Sequence, residues 1–106
     1  MLGWHLKIYR QADGGASPAT AQSSHGNHFA SWGEEKLAWL DELVKAGEAI
    51  DLGGDGYPCR YTAAAEHLIP LITDTLTGVR NKVVNAAEVT RCRPEEWLLV
   101  EAWDQS

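Results

Sequence analysis

Residues 47–62, GEAIDLGGDGYPCRYT, decide how this chain is to be read. Two short alternating runs, 48–52 and 57–61, flank Gly53-Gly54-Asp55-Gly56. Ile50 and Leu52 share one face of the first run, and Tyr57, Cys59 and Tyr61 share one face of the second. Alternating runs joined by turn-forming residues predict a β-hairpin. Pro58 cannot donate to a ladder, so it is expected at the start of its strand or on an unpaired side. The glycines do not make a phosphate loop, because no Lys-Ser or Lys-Thr follows them. Asp51 and Asp55 do not make an EF-hand either, since the twelfth residue counted from Asp51 is Thr62 rather than glutamate.

Outward from the hairpin, each side predicts a helix. Gly47 supplies a left-handed stop for a helix that begins at Ser31-Trp-Gly-Glu34, which has the spacing of a capping box. Leu37, Leu40, Leu43 and Val44, with Trp39, form its apolar stripe, and Glu35, Asp41, Glu42 and Lys45 its polar side. On the other side Thr62 is the expected N-cap of a second helix. Ala65, Leu68 or Ile69, Ile72 and Leu76 keep the helical interval to Gly78, with a kink or break at Pro70.

At the ends of the chain the period changes to two. In residues 3–10, GWHLKIYR, Trp4, Leu6 and Ile8 alternate with His5, Lys7 and Tyr9, which predicts a half-buried strand. Residues 97–103, WLLVEAW, predict a final strand covered on both faces. Residues 11–30 read as a long Gly/Ala/Ser-rich connection, mobile or functional. Residues 79–93 leave three readings open: irregular chain, a strand at Val83-Val84, or a short helix aligning Val79, Val83 and Ala87.

The expected order is therefore βαββαβ in a single α+β domain spanning 1–106. It implies a two-layer, ferredoxin-like fold: a four-stranded, mainly antiparallel sheet with two helices on one face and the terminal strands side by side. Another two-layer α+β sheet is the alternative.

Charge narrows the function. The net charge of −6 is concentrated in residues 34–55, where seven acids face only Lys36 and Lys45. Direct binding of nucleic acid is disfavoured, because neutralising phosphates needs a shared cationic face. No secretory pattern or apolar run of membrane-spanning length is legible, so a cytoplasmic location is expected. Cys59 and Cys92 read as thiols, Cys59 buried and Cys92 exposed, where flanking arginines would favour a nucleophile. His25 and His28 lack a third ligand of fixed spacing, so no metal or cofactor is expected. No catalytic residue can be singled out. The five tryptophans are expected to pack in the core and its rim, the second reading being that one or two face a partner.

The function these features imply is protein binding: an inhibitor or immunity-type protein that neutralises a basic partner, such as a toxin or nuclease. Its contact residues are expected to be Glu42, Asp51, Asp55, Tyr57, Arg60 and Tyr61, which combine charge steering with aromatic anchors. The second reading is a ferredoxin-like homodimer or enzyme with a pocket lined by His5, Tyr9, Trp97 and Trp103.

Overall fold

The two strongest alternating runs lie next to each other, as expected, in the middle of a six-stranded antiparallel sheet. The computed structural model describes residues 3–73 and 79–105. In chain order the elements are β1 (Trp4–Gln11), β2 (His25–Glu34), α1 (Ala38–Lys45), β3 (Ala49–Gly54), β4 (Cys59–Ala64), α2 (Ala65–Thr73), β5 (Arg80–Val84), α3 (Ala86–Arg91) and β6 (Trp97–Asp104). Across the sheet the order is β3-β4-β6-β1-β2-β5.

The fold is thus α+β, but it is not the four-stranded ferredoxin-like arrangement. Two further strands, β2 and β5, extend the sheet beyond β1, and a third helix, α3, follows β5. The capping-box reading hid β2. Ser31 pairs with Lys7 and Glu34 with Trp4 inside the strand, and α1 begins later, after Leu37, without a side-chain cap. Glu34 instead accepts the indole N–H groups of Trp32 and Trp39. Alternation along β2 is also disturbed by irregular register on both sides of Tyr9 in its pairing with β1. In residues 79–93 the strand at Val83-Val84 forms as part of β5, while the helix there, α3, starts only after it and does not align Val79, Val83 and Ala87.

The hairpin at 47–62 forms as expected, with β3 and β4 paired and Pro58 just ahead of β4. At its tip Gly54 has φ +122, and a Cβ there would strike the Pro58 carbonyl, so the turn requires glycine. Thr62 is not a helix cap. It sits in β4, accepts from Ala19 N at 3.1 Å and donates to the Leu98 carbonyl at 2.8 Å. The first amides of α2 are satisfied by the carbonyls of Glu96 and Pro94, and the helix carries Pro70 within it. Its predicted end at Gly78 lies outside the described residues.

One face of the sheet carries the core. Leu6, Ile8, Trp32, Leu98, Val100 and Ala102 are fully buried there, and Leu40 of α1, Leu68 and Ile72 of α2 and Val89 of α3 join the same cluster. The opposite face, which carries His5, Lys7, Tyr9, Arg60, Glu101 and Trp103 by register, has no helix in that cluster. Part of it is covered by residues 12–24, held down by Ala19 on Thr62, by Gln11 on the Ser17 carbonyl and by Trp97 N on the Gly15 carbonyl. Among the described residues no helix is long and apolar enough to cross a membrane.

Candidate functional site

The expected contact residues divide into three groups. Glu42 is exposed on α1, and Asp51, Asp55 and Tyr57 are exposed on the β3–β4 hairpin, Tyr57 to 60%. Asp51 accepts from Gly53 N at 2.8 Å and Asp55 from Tyr57 N at 3.1 Å, so both carboxylates also brace the turn. Among the described residues no cation forms an ion pair with Glu42, Asp51 or Asp55. β3 is a sheet edge, and Ile50, 42% exposed, stands beside these acids.

Tyr61 does not belong to that surface. It is 9% exposed and packs in the core. Burial, then the nearby charges of Asp51, Cys59 and Asp41, pushes its hydroxyl above the usual tyrosine range. Its neighbour Arg60, one residue out of phase, points to the opposite face and is committed internally. It donates to Glu101 at 3.0 Å and to the Ala21 carbonyl at 2.8 Å. Two of the six expected residues are therefore structural.

Arg60 leads to a cluster that charge and motif reasoning missed. Glu101 lies in the middle of β6, its side chain only 4% exposed. It is bound by His25 Nε2 at 2.6 Å, Arg60 at 3.0 Å and Trp103 Nε1 at 3.4 Å. Tyr9 stacks on His25 with ring centroids 4.1 Å apart and planes 4° off parallel, and His28 meets Tyr9 edge-on at 5.9 Å. Lys7 lies 5.5 Å over the Trp103 ring, a cation–π distance. Burial raises the Glu101 carboxyl, but hydrogen bonds from His25 and Arg60 outweigh it and hold the group below the usual carboxylate range. Burial and the Glu101 charge push the Tyr9 hydroxyl up. A carboxylate holding one imidazole nitrogen is the orienting half of a base dyad. Among the described residues no hydroxyl or thiol bonds to His25, so the arrangement is a fixed polar platform rather than a triad. The legible signal was a lone acid in the apolar run WLLVEAW, since a buried carboxylate needs partners.

A second buried charge cluster lies on the opposite face of β1, beginning one residue on at Arg10. Arg10 grips Glu96 with two bonds of 2.8 Å and reaches Glu88 at 3.2 Å. Asn27 also donates to Glu88, and Asn85 caps α3 by accepting from Glu88 N. The hydrogen bond from Arg10, then that from Asn27, holds the Glu88 carboxyl below its usual range. Cys92, expected to be an exposed thiol, is half-buried here. Burial and the neighbouring Glu96 push its thiol up to about 11, the opposite of activation. An open depression of about 210 Å3 beside this cluster is lined by Arg10, Gln11, Ala12, Gly14, Gly26 and Asn27.

His25 and His28 are drawn into the Tyr9 stack, and among the described residues no group of three or more His, Cys, Asp or Glu side chains is placed to hold a metal. Comparison of the chain with protein-family models, with curated proteins and with solved structures found no match.

Proposed function

We propose that this protein is a binding module that docks the basic surface of a protein partner, in the manner of an inhibitor or immunity-type protein that neutralises a toxin or nuclease. The observation that carries the reading is the β3 edge. Exposed Tyr57 and Ile50 stand there beside Asp51 and Asp55, and among the described residues these two acids have no internal ion pair and β3 is hydrogen-bonded to a strand on one side only. Exposed aromatic and aliphatic anchors supply contact area, while unpaired acids raise the on-rate for a basic partner and select it. The contact set is Glu42, Asp51, Asp55 and Tyr57, with Ile50 added and with Arg60 and Tyr61 withdrawn.

The test is capture by the wild-type protein and by the double variant Asp51→Lys/Asp55→Lys, at low and high salt. A partner retained by wild type at low salt and released by the variant, or by salt, is the expected result. Retention by both proteins at both salt concentrations would overturn the reading, because surface charge is screened beyond about 10 Å at 0.1 M salt.

A further inference from the structure

Among the described residues both rims of the sheet are open. β3 and β5 each pair on one side only and so present unpaired backbone donors and acceptors. The rims differ in charge: β3 and its turn carry Asp51 and Asp55, whereas β5 carries Arg80 and Lys82. Arg80 lies across Gly33, and together with Lys7 it lowers the proton affinity of His5, after the effect of burial. All five residues of β5 are exposed, and Val83 and Val84, 55% and 38% exposed, are two of its five side chains. An edge strand showing aliphatic side chains on both faces is a template for further pairing.

Direction and register favour the same occupant. The six strands are antiparallel throughout, so β3 and β5 run in opposite directions. A second copy shifted sideways along the sheet brings its β3 antiparallel to β5, with the helices of both copies on one side. Ile50 is level with Thr62, and Val83 with Ser31, both on the face away from the helices. Pairing Ile50 with Val83 across the rims also sets Ala49 against Val84 on the helix face and Asp51 against Lys82. A slip of one residue would turn Ile50 to the face opposite Val83. Apolar contact and opposite charge therefore select a single register.

We infer that the chain docks on itself head to tail, β5 of one copy against β3 of the next. The inference rests on the β3 rim being the docking surface, and it names an occupant that the chain itself supplies. Irregular register follows Asp51 in β3 and separates Ser31 from Gly33 in β2, so the regular pairing is short and the association weak. The contact is heterologous and does not close on itself, so copies add in a row. A foreign basic partner seated on β3 would end the row.

Sedimentation equilibrium over a wide range of protein concentration tests this. For the wild type the weight-average mass is expected to rise with concentration beyond twice that of the monomer, and to fall back in high salt. Asp51→Lys alone and Lys82→Asp alone should each stay monomeric, and an equimolar mixture of the two should recover the association. Circular dichroism of each variant confirms that it is folded, and Ile50→Lys, at an exposed position, is the second disruption of the β3 rim. A wild type that stays monomeric at every concentration overturns self-docking, while the foreign-partner reading is judged separately by its own capture experiment. Loss of association in Lys82→Asp but not in Asp51→Lys would mean a symmetric β5–β5 contact, and association unchanged in both would mean another surface. Either result overturns the inference.

Discussion

The two buried charge clusters, at opposite faces of the sheet, are built on inverse plans. On the helix side Arg10 serves two acids, Glu96 and Glu88, and Glu88 also has Arg91 at 3.4 Å. On the open side one acid, Glu101, is held by two partners, the Arg60 guanidinium and the His25 imidazole, the latter 38% exposed. In the first, the most buried carboxylate, Glu96, is held by a single guanidinium that stays charged at any ordinary pH. In the second, the single buried charge has duplicate partners with access to water. The first cluster is therefore a point of failure at Glu96, and the second is tolerant of the loss of one partner.

Breaking the Arg10 cluster should have the largest effect. Arg10→Met leaves Glu96, 1% exposed, without its partner, and removal of one member of a buried pair costs about 3–5 kcal/mol. Urea denaturation should show a midpoint shift of that size, and a loss below about 1 kcal/mol would mean that water replaces the guanidinium. Glu101→Gln should cost less, about 1–3 kcal/mol, because Arg60 and His25 can turn to solvent.

Acid should act on both clusters. The Glu88 and Glu101 carboxyls are held below their unfolded range. Their contribution is complete above the unfolded carboxylate value of about 4.3 and is lost as pH falls through the depressed folded values. Stability measured by urea midpoint should therefore drop below about pH 4, and Arg10→Met should reduce the part of that dependence due to Glu88, whose carboxyl Asn27 and Arg91 still hold down. An unchanged pH profile in the variant would detach Glu88 from Arg10. The smallest stability effect belongs to His25→Phe, which keeps an aromatic ring on Tyr9 and leaves Arg60 on Glu101; a loss under about 1 kcal/mol is expected. At the helix-side cluster the thiol of Cys92, pushed up to about 11, should alkylate at pH 8 roughly a hundredfold more slowly than a thiol of ordinary pKa. A rate equal to that of a free thiol would show that the cluster opens readily.

What could be read in the sequence followed from local periodicity. β1, the 47–62 hairpin and β6 were legible because Trp4, Leu6 and Ile8, the glycine turn and the run WLLVEAW each carry their own pattern. β2 was not, because Gly26, Asn27, Ser31 and Gly33 weaken its alternation and its Ser31…Glu34 spacing imitates a helix start. The choice between indoles and a backbone amide as partners of Glu34 is made by tertiary contact. In the candidate site, exposure of Asp51, Asp55 and Tyr57 was legible from the turn chemistry. The parity of Tyr61 and Arg60 was legible too, since adjacent strand residues cannot share a face; placing both on one contact surface overlooked it. Glu101 with His25, separated by 76 positions, needed the fold.

The position of β6 has a consequence for how the chain is made. This strand is hydrogen-bonded to β4 on one side and β1 on the other, so residues 97–104 are what unites β3 and β4 with β1, β2 and β5. A nascent chain that has reached only α3 holds two sheet fragments whose core faces have nothing to close them. Its hydrophobic strands stay exposed until β6 emerges, and truncation after residue 96 is expected to yield an aggregation- and protease-prone chain instead of a smaller domain.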